Sequence, residues 1–188
     1  MAITMNGIST GQALLLDGEI YQVLEHQHVK PGKGGAFVRV KFRHVKTENT
    51  LERTFKAGDK LEEAPLEEVE LEFLYHSEGQ YHFMDHTSFE QIALSEEVLG
   101  DGAKFLLENL TVTGLVYQDR VLKVMLPTFI VTELVESEPG IRGDSSKSGN
   151  KPAKIKTGAT VMVPLFINQG DVIKIDTRSG QYVERIQK

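Results

Sequence analysis

The chain has 188 residues, a net charge of −6, and neither cysteine nor tryptophan. By size it holds one or two domains, and its 40% apolar content is ordinary for a chain that buries a core. Absence of cysteine excludes disulfides and thiolate metal sites, no run approaches the ~20 apolar residues of a membrane span, and MAITMNGISTG lacks the basic start and apolar stretch of a signal peptide, so a soluble cytoplasmic protein is expected.

Strand signals dominate from the start. Asp17-Gly18, between LLL and EIYQVL, has the composition and position of a hairpin turn. HVKPGKGG then sets Lys33 between Gly32 and Gly34, with Pro31 before and Gly35 after. In the following run Val38, Val40 and Phe42 alternate with Arg39, Lys41 and Arg43, so one strand face goes to a core and the other, wholly basic, to solvent or a partner. Thr47-Glu48-Asn49-Thr50 turns into LERTF, and a small barrel ends near KAGDKLEEA. Past Pro65, Val69, Leu71 and Phe73 alternate with Glu68, Glu70 and Glu72. SEEVLGDGAKFLLEN holds the one helix, with Ser95 as its N-cap and Gly100 as its stop. LTVTGLVY and RVLKVML follow, joined by Gln118-Asp119. Beyond Pro127, FIVTELVES leads into IRGDSSKSGNKPAK, read as an exposed loop, and the last strands are punctuated by Gly158, Gly170 and Gly180. The texture predicts an all-β protein of three small barrels, 1–64, 65–127 and 128–188, the middle one an OB-type barrel carrying the helix.

The charge is unevenly divided among these thirds. The first has nine Lys+Arg against eight Asp+Glu, the middle three against twelve, and the last nine against seven. Between Glu25 and Glu48 there is no acid, yet Lys30, Lys33, Arg39, Lys41, Arg43 and Lys46 all fall there. Segregation of this kind steers one end of an acidic molecule toward phosphates.

Catalytic patterns are absent. There is no G-x-S-x-G and no suggestive Ser/His/Asp set, and the middle glutamates read as a solvated strand face rather than paired acid–base carboxylates. His26 and His28 would share a strand face, whereas His82 and His86 would not, and neither pair has an evident third ligand; no metal and no cofactor are expected. PGKGG is not a phosphate-binding G-x-x-x-x-G-K-[ST] loop. Beside Lys30 and the Arg39, Lys41, Arg43 stripe it reads as a thin basic probe suited to a phosphate-lined crevice, with the glycines removing side-chain bulk. Its lysine amine is also a group that a modifying enzyme can extend covalently.

HVKPGKGGAFVRVKFR, LERTFKAGDK, KPAKIKTGATVMVPLFINQG and DTRSGQYVERI, in that order over the whole length, resemble the bacterial elongation factor P family, a relative of the hypusine-bearing translation factor of eukaryotes and archaea. The resemblance implies an SH3-like (KOW-type) first domain followed by two OB-type domains in an L shape like a transfer RNA. It implies a non-enzymatic factor that binds the ribosome between the peptidyl and exit sites, contacts peptidyl-tRNA and relieves stalling at consecutive prolines. It also implies that Lys33 is post-translationally modified by a dedicated enzyme, and that Pro31, Gly32, Gly34 and Gly35 present it. Where the family carries a Gly-Asp-Thr loop near the messenger, this chain has Gly143, Asp144 and Ser145, followed by Ser146 and Lys147. A monomer without membrane contact is expected. The rival class is a general single-strand nucleic-acid-binding OB protein, which needs aromatic stacking platforms among its bases; few aromatics lie outside apparent core positions.

Overall fold

The structure is a computed structural model and describes residues 2–32, 34–137 and 149–186. Lys33 and the proposed messenger loop at Gly143, Asp144 and Ser145 lie outside the described residues.

The first sheet contains β1 (Ala2–Thr4), β2 (Ala13–Leu16), β3 (Glu19–Val29), β4 (Phe37–His44), β5 (Thr50–Lys56) and β6 (Lys60–Glu63), in the spatial order β1-β6-β2-β3-β4-β5. The expected turn at Asp17-Gly18 joins β2 to β3 with both φ angles positive, +53° and +87°, the two-residue geometry that matches strand twist. Alternation on β4 is complete: Val38, Val40 and Phe42 are fully buried and Arg39, Lys41 and Arg43 are exposed. The three apolar side chains join Leu14, Leu16, Val23, Phe55 and Leu61 in one core.

The second sheet contains β7 (Glu67–Ser77), β8 (Gln80–Asp85), β9 (Gln91–Ser95), β10 (Thr111–Tyr117) and β11 (Arg120–Met125), ordered β11-β10-β7-β8-β9. The helix expected from SEEVLGDGAKFLLEN is one turn, α1 (Glu96–Leu99). Ser95 occupies the N-cap position with extended backbone, but its hydroxyl makes no capping bond. Gly100, at φ +55°, stops the helix, and the chain continues as a 3₁₀ segment, Gly100–Phe105.

The third sheet contains β12 (Phe129–Ser137), β13 (Asn150–Ile155), β14 (Thr160–Pro164), β15 (Val172–Asp176) and β16 (Gln181–Ile186), ordered β14-β13-β12-β15-β16. Its core of Ile130, Leu134, Ile155, Ile173 and Ile175 is completed by Phe105 from the 3₁₀ segment, only 2% exposed.

These elements group into two compact units. One comprises residues up to Glu68 together with Leu115–Lys123. In it Leu115, Tyr117 and Leu122, around the β10–β11 turn, pack against a small cluster of Ala13, Ile20, Val45 and Ala64. The other runs from Val69 to Gly114 and from Val124 onward, and Phe105 is the plug that unites its two sheets. Among the described residues no helix is long and apolar enough to cross a membrane.

Candidate nucleic-acid interface

Strands β3 and β4 form the longest hairpin of the first unit, and the loop between them contains Lys30, Pro31, Gly32, Gly34 and Gly35, all exposed. Their pairing runs out to Val29 opposite Phe37, so the arm is hydrogen-bonded up to the loop. A register shift between Val23 and Glu25 places a bulge at Leu24. Bulges sharpen twist and reset which side chains face the core; beyond this one, the β3 residues Glu25 to His28 are all exposed. Gly34 has φ +110°, a conformation an L side chain rarely adopts, and added methyls at Gly32 or Gly35 would meet open space. Glycine is thus demanded by backbone geometry at Gly34, while at Gly32 and Gly35 its absence of bulk keeps the loop thin.

Arg39, Lys41 and Arg43 share the exposed face of β4, in line with the sequence pattern. Register adds what the sequence pattern leaves out. Lys41 lies between Glu25 on β3 and Glu52 on β5, and the Arg39 Nε is 3.3 Å from the Glu52 carboxylate. The Arg43 guanidinium donates to Gln22 Oε1 at 2.9 Å. With Lys56 of β5, opposite Phe37, this face of the three strands sets four cations against two carboxylates, and it is basic by local excess rather than free of acid. Glu25 and Glu52 are distant in sequence from the stripe they flank, which is why chain order alone gives no sign of them.

The opposite face of the arm carries His26 and His28, opposite Val40 and Val38, with rings edge-to-face at 5.8 Å. His26 Nδ1 is 3.4 Å from the Thr10 hydroxyl. At the far end of the hairpin His44 accepts the backbone N–H groups of Lys46 and Thr47 on Nδ1 and meets the Glu19 carboxylate at 3.3 Å through Nε2. That ring fixes the β4–β5 turn. Glu48, at φ +61° in the same turn, is paired with Lys123, whose ammonium hydrogen bond holds the Glu48 carboxyl below its ordinary range.

His82 and His86 do not converge. His82 meets the Ser77 hydroxyl at 3.2 Å, whereas His86 lies between Glu72, 3.0 Å from Nε2, and Glu70, 3.7 Å from Nδ1. The Glu72 hydrogen bond, opposed in part by desolvation, raises the His86 pKa above its ordinary value.

Fold and site together define a class, that of multi-barrel β proteins with a KOW-like N-terminal module, which here projects a hairpin with a basic stripe. Three family descriptions match in succession: the elongation factor P KOW-like domain over residues 4–61, the elongation factor P OB domain over 66–124, and the elongation factor P C-terminal domain over 130–185. Elongation factor P of Natranaerobius thermophilus is 48% identical over 185 residues, 98% of each chain. That of Gloeobacter violaceus is 50% identical over 184 residues, 97% of this chain and 98% of its own. The chain belongs to the elongation factor P family. Among solved structures, eukaryotic translation initiation factor 5A from Methanococcus jannaschii is similar with a TM-score of 0.52 at 20% identity, over 66% of this chain and 94% of that one. This second likeness is one of fold.

Proposed function

We propose that this chain is a translation elongation factor that binds the ribosome between the peptidyl and exit sites, contacts peptidyl-tRNA and promotes peptide-bond formation at consecutive prolines. The observation that carries the reading is the family match in order along the whole chain. The exposed β3–β4 arm supports it, because a thin, glycine-bearing loop above a basic stripe is suited to a narrow RNA crevice. In this reading the domains are 1–64, 65–127 and 128–188, acting as a cytoplasmic monomer. Lys30, Arg39, Lys41 and Arg43 contact RNA phosphates, and Gly143, Asp144 and Ser145 approach the messenger.

Lys33 is the residue that acts at the reaction centre. A lysine-modifying enzyme extends its amine, and the extended chain lies beside the acceptor end of peptidyl-tRNA. The factor makes and breaks no bond in peptide transfer; it restricts the orientation of the reacting ends, an entropic contribution, and ribosomal RNA performs the chemistry. Proline, with its fixed ring and secondary amine, is the substrate for which such ordering matters most.

The test is ribosome co-sedimentation at moderate salt, followed by translation of a reporter with a proline run. Native protein binds and shortens the pause. Lys33→Arg binds comparably and fails to shorten it, since a guanidinium does not accept the modification. Failure of the native protein both to co-sediment and to shorten the pause would overturn the reading.

A further inference from the structure

The outer face of the β3–β4–β5 sheet changes character at the loop end of the arm. Its other rows are polar or charged, but the last row across the three strands reads Val29, Phe37, Lys56. Phe37 precedes Val38, which is fully buried, and successive residues of a strand point to opposite faces. The Phe37 ring therefore stands on the outer face with Arg39, Lys41 and Arg43. Phe42 and Phe55 of the same sheet belong to the first core; Phe37 does not. It is half-buried, and among the described residues it meets no other aromatic ring and no cation over its own.

Residues directly opposite on one sheet face have Cβ atoms about 4.5–5.5 Å apart, so register alone sets Val29 and Lys56 on either side of Phe37. The next row is Gln27, Arg39 and Thr54. Charge compensation varies along the face. Lys41 lies between Glu25 and Glu52, and Arg39 is tied to Glu52, whereas Lys56 and Lys30 form no ion pair among the described residues. Four residues separate Phe37 from Lys41, about 13 Å of strand. The uncompensated ammonium groups thus lie at the loop end, beside the ring, and the carboxylates lie away from it. Flat apolar surface next to free positive charge fits an unpaired nucleotide. A duplex offers its phosphates but keeps its base faces stacked inside.

We propose that this row is a platform for one unpaired ribosomal RNA nucleotide, its base lying on the Phe37 ring against Val29 and its phosphate held by Lys56. The inference rests on the ribosomal reading and adds to its phosphate contacts a stacking contact that chain order does not show. Aromatic side chains hold splayed bases in this way with little regard to base identity. Gln27 and Thr54, one row back, offer neutral donors and acceptors for the ribose hydroxyl. Residues 33 to 37 span at most about 14 Å of chain. The platform therefore stands back from the loop tip and meets the wall of the crevice rather than the transfer-RNA end that the tip addresses. A Val–Phe pair also steadies the end of a hairpin, so the test must separate the ring from its packing.

The full chain is titrated, by chemical shift and up to about 5 mM, with single-stranded tetra-adenylate RNA, the same ribose-phosphate backbone without bases, and a blunt RNA duplex. Tetra-adenylate should give saturable shifts at 27–30, 36–39 and 54–56, with nuclear Overhauser contacts between the Phe37 ring and base protons. Phe37→Leu keeps an apolar partner for Val29 and should weaken tetra-adenylate about tenfold. Phe37→Trp should restore it, and both variants should bind the base-free backbone as the native chain does. Lys56→Gln should weaken both single-stranded probes and lower the salt slope by about 0.7. On the ribosome, a photo-crosslinking phenylalanine analogue at position 37 should join ribosomal RNA. Unchanged tetra-adenylate affinity in Phe37→Leu, tighter binding of the duplex, or cross-links only to protein or transfer RNA would overturn the platform. Failure of the ribosomal reading itself is distinct: the native protein would neither co-sediment nor shorten the pause.

Discussion

Replacing Phe105 by alanine tests what holds the second unit together. The side chain is carried on the 3₁₀ segment after α1, yet its contacts are with Ile130, Leu134, Ile155, Ile173 and Ile175 of the third sheet. At 2% exposure, with core on every side, truncation leaves a cavity that backbone cannot refill, and the expected loss is about 3–5 kcal/mol. For a unit of this size the melting transition should fall by roughly 8–15 °C. Gly180 supplies an internal control. A methyl there would sit 3.3 Å from Phe105 Cζ, and the residue has φ +68°. Gly180→Ala should therefore cost about 1–2 kcal/mol from the left-handed backbone alone, plus a contact term that exists only while the ring is present. In the Phe105→Ala background the contact term vanishes, so the double variant should lose less than the sum of the single losses by about 0.5–1 kcal/mol. Calorimetry with amide hydrogen exchange is the suitable assay, because exchange assigns the lost protection to β12–β16 and leaves β2–β5 unchanged. A Phe105→Ala loss under about 1 kcal/mol, or additivity within about 0.3 kcal/mol, would refute the plug.

On the β3–β4 arm, Arg39→Gln and Arg43→Gln should each weaken ribosome binding and lower the salt slope by about one unit, read from co-sedimentation across a salt series. Glu52→Gln frees Arg39 of its carboxylate and should strengthen binding at low salt; no change would place the stripe outside the contact. His86 should titrate with an NMR midpoint above 6.5, because Glu72 favours its charged form. Its folded pKa is raised, so its contribution to stability is complete below the unfolded pKa and is lost as pH rises through the folded value; His86→Gln should flatten that part of the pH–stability curve. Asp176, brought down to about 2 first by the Arg178 hydrogen bond, works in the opposite sense: its stabilisation is present above the unfolded pKa and is lost only in strong acid. Arg178→Ala should move that loss to higher pH. Lys123→Met, which breaks the exposed pair with Glu48, should cost about 0.5 kcal/mol by denaturant titration.

Much of the fold follows from local pattern. Period-two alternation on β4 places Val38, Val40 and Phe42 inside without reference to any other strand, since successive side chains must point to opposite faces. The turn at Asp17-Gly18 and the stop at Gly100 follow from backbone conformations that glycine adopts without strain. The acid-free window and the segments that carry the family resemblance are likewise properties of the chain. Other features needed three dimensions. Past the expected stop at Gly100 the sequence pattern assigns AKFLLEN no partner, whereas in the structure the 3₁₀ segment Gly100–Phe105 delivers Phe105 into the core of a different sheet, a long-range contact. Glu25 and Glu52 temper the basic stripe only because register brings them beside Lys41, and register depends on a bulge and on which strands pair. Thr132 shows both sides of the division. Its place among inward apolar residues is legible as an oddity in FIVTEL, whereas the burial of its hydroxyl without a hydrogen-bond partner among the described residues shows only in the folded sheet. Sequence by itself determined which faces are buried, where the strands turn and which family the chain joins, because those depend on neighbours in the chain. Tertiary structure alone decided which charges are compensated and what plugs the second unit, because those depend on neighbours in space.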